Sequence, residues 1–510
     1  MLIEKSDFRL QLLDAYPSTM GSSTLYLTTL LTALGFMLIG YDNGVMGGII
    51  DNPPFKETFH NPSAGLVGTI VGIYEIGCFA GALITAVIGE RLGRRRSIFL
   101  GAVVMLGGAG FQAGVSSAGA MIAARVVSGL GMGFINSTVP VLQAEVSPKK
   151  ARGRFACFQL SLLNCGIFVA YWVGYGFTPM SGSKAWRIPV ALQAVFIIPI
   201  IVLVFVVPES PRWLASHGRG NECLEVLARL QGKPTSHQDV MIQHKEIIDA
   251  VTLEQSIGSG TWADLLKEDE IKSRRRLLIA CSIQFFQQIG GINAIIFYAG
   301  TFFSLVTDKA ALMAGGLFTW FFVASFIPWM LIDTVGRRKL LLVCIAGMSA
   351  AFATESALVW KVQTSSSKAA AGAAVAVLFV YMGLFTIGFQ AIVWVYPSEI
   401  LPLRLRQKGS SISTACNWIT NYIIVQIAPI GVKNIGWKFY IIFAVINAAF
   451  LPPIYFFYPE TKGLSLEAVD LLFSQDHPTA FEEHKAEVDH AEMVPAKASA
   501  GSYDLDEKNV

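Results

Sequence analysis

Polar amides interrupt two stretches of the sequence that are otherwise apolar. Gln287, Gln288 and Asn293 lie in the first stretch, while Asn417 and Asn421 lie in the second, four residues apart and so on one face of a helix. Amides donate and accept hydrogen bonds without carrying charge, so they suit a neutral ligand rich in hydroxyl groups. The alternative is that they only join helices, through hydrogen bonds worth about 0.6 kcal/mol each in membranes.

Two ionisable residues lie in similarly apolar surroundings. Asp42 and Arg125 each fall within a long hydrophobic run. An isolated charge is costly there, whereas a carboxylate that faces a guanidinium is neutralised and can alternate between that partner and a proton. The pair is therefore a candidate proton-coupling device, and the alternative is a static ion pair. Glu75 and Glu355 also lie in apolar runs, and their sequence context assigns them no role.

Acidic and basic residues recur at matching places in the two halves of the chain. Residues 89–96 and 333–339 both combine an acid, a glycine and a run of cations. A second matching motif, an acid followed by a cation and a glycine, lies two apolar segments further on in each half. Such groups can pair across the seam, the contact between the two halves of the chain, as latches that break when the seam opens. The alternative is that these charged residues only orient the loops relative to the membrane. The candidate latch residues are Glu90, Arg94, Glu145, Arg152, Asp333, Arg337, Glu399 and Arg406.

The elements that must position these side chains are membrane helices. Hydrophobic residues make up 53% of the 510 residues and charged residues only 15%, whereas a soluble chain carries about 25% charged residues. Apolar segments of about 20 residues, long enough to cross a hydrocarbon layer of about 30 Å as helices, recur twelve times. The predicted spans are 24–48, 65–88, 97–116, 120–142, 155–178, 187–207, 276–304, 310–332, 340–360, 370–396, 409–430 and 437–458. We predict an all-α integral membrane protein with two sets of six helices.

Hydropathy divides the chain into five segments. We predict a polar N-terminal segment at 1–23, a six-helix bundle at 24–207, a linker with short helices at 208–275, a second bundle at 276–458 and a largely disordered tail at 459–510. The linker and the loops on its side of the membrane hold 24 Lys and Arg residues, against 8 in the opposite loops. The positive-inside rule therefore places the linker and both termini in the cytoplasm.

The same composition excludes several classes of protein. A net charge of +3 is far from the dense basic surface that nucleic-acid binding requires. The seven cysteines lack metal-ligand spacing, so they predict neither a disulfide framework nor a metal centre. The polar segments contain no phosphate-binding loop and no catalytic constellation, so we predict neither an enzyme nor a cofactor.

Four motifs extend over nearly the whole chain. They lie at 125–133 in the fourth span, 208–214 after the sixth, 287–293 in the seventh and 459–463 after the twelfth. With these motifs the chain resembles the sugar porter family of the major facilitator superfamily, in its fungal, monosaccharide-transporting form. The resemblance implies two six-helix bundles that rock around a central site, the alternating-access mechanism.

The resemblance also implies roles for individual residues. In sugar porters the sugar is bound by amides and lies on an aromatic platform, which here match Gln287, Gln288, Asn293, Asn417 and Trp394. In the proton-coupled members, the proton carrier and its cationic partner match Asp42 and Arg125. For Trp394, the alternative is an aromatic anchor at the membrane interface.

Two departures from the family pattern concern the same site. Gln390 and Ala391 stand where the family usually has Gly-Pro, which adds a candidate sugar contact at Gln390. Counted from the preceding Arg-Gly, Gln159 lies one residue before the position of the family glutamine, and Leu160 occupies that position. One residue turns a helical side chain by about 100°, so Gln159 is a weaker candidate.

The sequence leaves several alternatives open. Proton-coupled symport is the primary hypothesis, a facilitative uniporter is the second, and a sugar receptor that does not transport is the third. The expected partners are a small sugar, a proton and the lipid bilayer, with no nucleic acid, and the expected state is a monomer in the plasma membrane. A hexose, a pentose, a disaccharide, a polyol and quinate all remain candidate substrates.

Overall fold

Twelve helices long and apolar enough to cross a membrane account for most of the described chain. The computed structural model describes residues 21–147, 152–257, 262–269, 272–402, 405–462, 469 and 472–473. Within them, the first six helices are α1 (Ser23–Ile49), α2 (Ala64–Leu92), α3 (Arg94–Gly114), α4 (Ala118–Val146), α5 (Phe158–Phe177) and α6 (Lys184–Val206). The second six are α7 (Ser273–Ser304), α8 (Ala310–Ile332), α9 (Arg337–Ser365), α10 (Lys368–Ile400), α11 (Lys408–Ile435) and α12 (Lys438–Phe457). The predicted number of spans and the fold class are confirmed.

Several helices extend beyond the apolar segments that predicted them. The ninth span, predicted at 340–360, is a helix over Arg337–Ser365, and the tenth, predicted at 370–396, reaches Ile400. Backbone hydrogen bonds continue the helix after the side chains have become polar. Hydropathy therefore identified the apolar core of each helix and missed its polar ends.

Each bundle is held by close packing of helices that are distant in the chain. In the first bundle α1 packs on α5 and α2 on α4, and in the second α9 packs on α12. The two bundles meet where α2 lies against α11, α5 against α8, and α1 against α7. A site formed along these contacts therefore draws its side chains from both halves of the chain.

The linker folds into short helices at one end of the molecule, which we call the linker end. Its helices are Pro211–Ser216, Gly220–Gln231, Gln238–Ile257 and a 3₁₀ turn at Ala263–Leu266. The helix Gly220–Gln231 buries its apolar face against α1, as expected for an amphipathic segment. The predicted disorder of the tail concerns residues that mostly lie outside the described part of the chain.

Candidate functional site

Helix α7 breaks within its group of amides. Its two segments are Ser273–Ile289 and Ile292–Ser304. Gly291 lies between them with a φ of +99°, a left-handed conformation that favours glycine. A Cβ atom at this position would also lie 2.8 Å from the ring of Phe443. Because the amides fall on both sides of the break, their directions do not follow the periodicity of one continuous helix.

The four amides predicted from the sequence form one hydrogen-bonded network. Gln288 donates from Nε2 to Oδ1 of Asn417 over 2.9 Å, and Asn417 donates from Nδ2 to Oε1 of Gln287 over 3.0 Å. Asn293 donates to Oε1 of Gln288. Each of the four is at most 8% exposed. The network joins both segments of α7 to α11 in the interior of the second bundle.

One further amide in the network was missed in the sequence analysis. Gln284 accepts a hydrogen bond of 2.7 Å from Nδ2 of Asn417 and donates one of 3.1 Å to the backbone carbonyl of Val393 in α10. Gln284 lies four residues before Gln288 and therefore on the same face of α7. Helical spacing alone was enough to indicate it.

Gln390 links the two bundles across their seam. Its Nε2 donates to Oδ1 of Asn164 in α5 over 2.6 Å, and Nδ2 of Asn164 donates back over 3.0 Å. Asn164 is a second functional candidate missed in the sequence analysis, because an isolated asparagine has no recognisable spacing. Trp394 lies four residues after Gln390, on the same side of α10 and nearer the linker end. Its side chain is 37% exposed.

Gln159 is not hydrogen-bonded to the amide network. It is buried on α5, and its Nε2 has no hydrogen-bond partner among the described residues. An unpaired buried amide is costly, so this nitrogen is available to a polar group that enters the seam.

Asp42 and Arg125 form an ion pair in the interior of the first bundle. The carboxylate Oδ2 lies 3.4 Å from the guanidinium NH1, and both side chains are fully buried. Arg125 also donates to the carbonyl of Val71 over 3.0 Å and lies 4.4 Å above the centre of the Tyr74 ring. The carbonyl and the aromatic face hold the guanidinium in place without neutralising it, so the carboxylate is its ionic partner.

The bundles are also joined at the end opposite the linker. Thr301 of α7 donates to the carboxylate of Asp51 over 2.8 Å. Gln426 of α11 donates to the carbonyl of Gly65 over 3.1 Å. These contacts hold the two bundles together on that side.

Five of the candidate latch residues pair within their own bundle, and pairing across the seam stays a prediction. Arg94 binds Glu145 through two hydrogen bonds of 2.9 and 3.1 Å and also contacts Glu90 at 3.2 Å. Arg337 binds Glu399 at 2.9 Å in the second bundle. Each pair joins the first residue of one helix, α3 or α9, to the end of another, α4 or α10, in the same half. The latches therefore stabilise the linker end of each bundle separately.

The structure describes the side chain of one of the three remaining latch candidates. Arg406 donates to the carbonyl of Leu401, five residues earlier in the chain. The side chains of Arg152 and Asp333 lie outside the described part of the structure.

Two further acids occupy equivalent positions at the linker end. Glu209 accepts hydrogen bonds from the backbone N–H groups of Arg94 and Arg95, at 3.0 and 3.2 Å. Glu460 accepts from Arg337 and Arg338, at 2.8 and 3.0 Å. Each carboxylate thus binds the N-terminus of a membrane helix, α3 or α9, where free N–H groups and the helix dipole favour an anion. Burial raises the pKa of Glu209 above its usual range, and its backbone hydrogen bonds oppose that rise.

Comparison with known families agrees with this architecture. The model of the family described as Sugar (and other) transporter matches residues 28–473. The chain therefore belongs to this family, the sugar porters of the major facilitator superfamily. The MFS-type transporter oryC of Aspergillus oryzae is 38% identical over 461 residues, which cover 88% of this chain and 85% of that protein. The sugar transporter STL1 of Saccharomyces cerevisiae is 33% identical over 95% of this chain and 88% of its own length.

Solved structures show the same fold. A partially occluded inward-open structure of the xylose transporter XylE from E. coli superimposes with a TM-score of 0.73, at 24% sequence identity. The match covers 87% of this chain and all of XylE. Its twelve-helix architecture and that of the present chain are therefore alike.

Proposed function

We propose that this protein carries a monosaccharide, a pentose or a hexose, across the membrane together with a proton. The observation that carries the proposal is the coexistence of two buried sites. One is the neutral amide network on α7 and α11, and the other is the buried ion pair of Asp42 and Arg125 in the opposite bundle. A sugar requires the first site and a proton requires the second.

The amide network is suited to replace the water around a sugar. Gln284, Gln287, Gln288, Asn293 and Asn417 offer donors and acceptors in one place, and these exchange their mutual hydrogen bonds for sugar hydroxyls when the sugar binds. Trp394 on the same seam supplies an aromatic face for the C–H surface of the ring. Two relatives support a sugar substrate: a Kluyveromyces lactis protein named high-affinity glucose transporter, 30% identical to this chain, and the proton:xylose symporter XylE.

Asp42 is the proposed proton carrier and Arg125 its counter-ion. A proton that binds Asp42 removes the attraction between the two side chains and frees the guanidinium, so proton binding changes how α1 and α4 are held together. Movement of the bundles about the central site then couples the proton to the sugar. The linker-end pairs Arg94–Glu145 and Arg337–Glu399 would stiffen each bundle for a rigid-body motion.

We place the protein in the plasma membrane as a monomer with cytoplasmic termini. The excess of Lys and Arg on the linker side supports this orientation. The linker end is then the cytoplasmic end, and the contacts of Thr301 with Asp51 and of Gln426 with Gly65 close the outer side.

Sugar uptake into reconstituted vesicles with an imposed proton gradient tests the proposal. With one proton per sugar, a gradient of about one pH unit supports about tenfold accumulation. We expect the wild-type protein to accumulate sugar and Asp42→Asn to lose accumulation while it still exchanges sugar across the membrane. A facilitative carrier would equilibrate the sugar in both forms and never concentrate it.

The same uptake assay distinguishes a transporter from a receptor. A receptor would bind sugar and carry none into the vesicle. Competition of unlabelled pentoses, hexoses, polyols, disaccharides and quinate against one labelled sugar then assigns the substrate. The comparison is informative because a pentose and a hexose differ by a single hydroxymethyl group.

A further inference from the structure

Glu75 is a buried acid beside the proposed proton site. It lies on α2, its side chain is fully buried, and neither carboxyl oxygen makes a hydrogen bond within the described part of the chain. Helix α2 packs on α4 of its own bundle and on α11 of the other. Glu75 is therefore at the seam between the bundles and has no role in the mechanism described so far.

Glu75 lies near the guanidinium of Arg125, the ionic partner of Asp42. Arg125 donates to the carbonyl of Val71, which lies one helical turn before Glu75, and its guanidinium covers the ring of Tyr74. Arg125 attracts both Glu75 and Asp42, and the two acids repel each other. The polar groups that face Glu75 are Asp42 from α1, Arg125 from α4, Tyr74 and Cys78 from α2, and Asn421 from α11.

Charge balance requires one proton in this cluster. Two ionised carboxylates and one guanidinium would leave a net negative charge in the membrane interior, which is strongly unfavourable. One bound proton makes the cluster neutral, and two acids that interact this closely titrate as a pair. We propose that Asp42 and Glu75 together form a shared proton-binding site around Arg125, with Glu75 as the second proton carrier. This inference rests on the proposed proton coupling.

Asn421 connects this site to the opposite bundle. Its amide lies beside the Glu75 carboxyl, and its Oδ1 is buried without a hydrogen-bond partner among the described residues. A protonated Glu75 supplies an O–H donor of the kind that this oxygen lacks. Asn417 lies four residues earlier on the same face of α11, within the amide network. The Asn421 amide can donate to an ionised Glu75 through its nitrogen, which favours the carboxylate, or accept from a protonated Glu75 through Oδ1. The contact between α2 and α11 therefore depends on where the proton lies, and a proton on Asp42 leaves Glu75 ionised beside Arg125.

The close approach of α2 to α11 makes this connection sensitive to bundle movement. A Cβ atom on Gly68 would lie 2.6 Å from the carbonyl oxygen of Gln426, and one on Gly72 would lie 3.4 Å from the ring of Tyr422. The next turn of α2 brings Glu75 to Asn421. Rocking of the bundles separates these two residues, so the preferred position of the proton changes with the conformation.

Infrared spectroscopy of the full-length protein in lipid detects the shared proton directly. We expect a pH-dependent carbonyl-stretch band from a protonated carboxylic acid in the wild-type protein. Asp42→Asn and Glu75→Gln should each remove this band. Each variant leaves one carboxylate beside Arg125, and that pair is neutral without a bound proton. The comparison is made in proteins that also carry Glu355→Gln, because Glu355 is another buried acid without a hydrogen-bond partner among the described residues and would contribute a carbonyl band of its own. Glu355→Gln alone should retain the band of the shared site. Survival of the band in either of the first two variants overturns the shared site, as does its absence from the wild type.

Transport by the same variants tests whether the shared proton drives accumulation. We expect Glu75→Gln to lower the accumulation ratio to equality between inside and outside, while sugar exchange continues, and Glu75→Asp to retain accumulation. Full accumulation in Glu75→Gln contradicts the role of a proton carrier. Should the wild-type protein itself fail to concentrate sugar, the proposed symport is wrong, and the infrared comparison still decides whether the two acids share a proton.

Discussion

At the scale of single residues, the amide network explains how a binding site stays intact before its ligand arrives. Unpaired amides in the membrane interior are costly, and within this network each amide is hydrogen-bonded to another. Asn417 is the junction, since it is hydrogen-bonded to Gln284, Gln287 and Gln288. A sugar must offer hydroxyls in the same directions to replace these hydrogen bonds without a loss of binding free energy.

Substitution of the junction should weaken sugar binding strongly. Asn417→Ala removes a donor and an acceptor that a sugar would use, and each hydrogen bond contributes about 0.5–1.5 kcal/mol. We expect the sugar concentration for half-maximal exchange to rise about tenfold or more. Gln112→Ala is the matched control, because Gln112 donates to Ser128 between α3 and α4, away from the seam. Equal effects of the two substitutions would assign Asn417 to folding instead of binding.

At the scale of elements, the first bundle depends on the closeness of α2 and α4. A Cβ atom on Gly129 would lie 2.2 Å from the carbonyl oxygen of Tyr74, and one on Gly133 would lie 2.4 Å from that of Cys78. Small residues at such positions let membrane helices approach closely. Since Arg125 lies one turn before Gly129 on α4, the same approach also brings its guanidinium to α2.

A methyl group at this contact should therefore destabilise the bundle. We expect Gly129→Ala to lower the stability of the protein by about 1–3 kcal/mol through overpacking. Gly107→Ala on α3 is the control, because a Cβ atom there has no neighbour within 4 Å and alanine is the better helix former. Thermal unfolding in detergent measures both, and a midpoint for Gly129→Ala at or above that of the control would contradict the packing argument.

At the scale of the whole molecule, the two halves repeat one plan at the linker end. Glu209, where the linker begins, binds the N-terminus of α3, and Glu460, where the tail begins, binds that of α9. The pairs Arg94–Glu145 and Arg337–Glu399 lie beside them. The start of the linker is thereby bound to the first bundle, and the start of the tail to the second.

Neutralising these acids should loosen the polar segments without unfolding the bundles. Hydrogen bonds to a charged group contribute about 1.5–3 kcal/mol, so we expect Glu209→Gln to increase the rate of proteolytic cleavage in the linker severalfold. Glu268→Gln is the control, because Glu268 forms only an exposed ion pair with Arg274. Unchanged cleavage in Glu209→Gln, at unchanged thermal stability, would mean that this contact does not hold the linker.

The sequence predicted the amides better than it predicted the charges. Gln287, Gln288, Asn293 and Asn417 were recognised because polar residues are conspicuous within apolar helices, and they do converge. The latch residues were recognised as ion-pairing groups, but the partners that the structure shows lie within one bundle, and pairing across the seam stays a prediction. A long side chain such as arginine reaches any acid within several ångströms, so its partner depends on how neighbouring helices are placed.

The number of spans, the repeat between halves, the family and the presence of buried amides and acids were determined by the sequence itself. Hydropathy and motif order act locally along the chain, so they can be recognised without coordinates. Only the tertiary structure decided that Asn164 meets Gln390, that Glu75 lies near Arg125, and that Arg94 and Arg337 each pair with an acid of their own bundle. These contacts depend on the rotation and separation of helices distant in sequence, which no local pattern encodes.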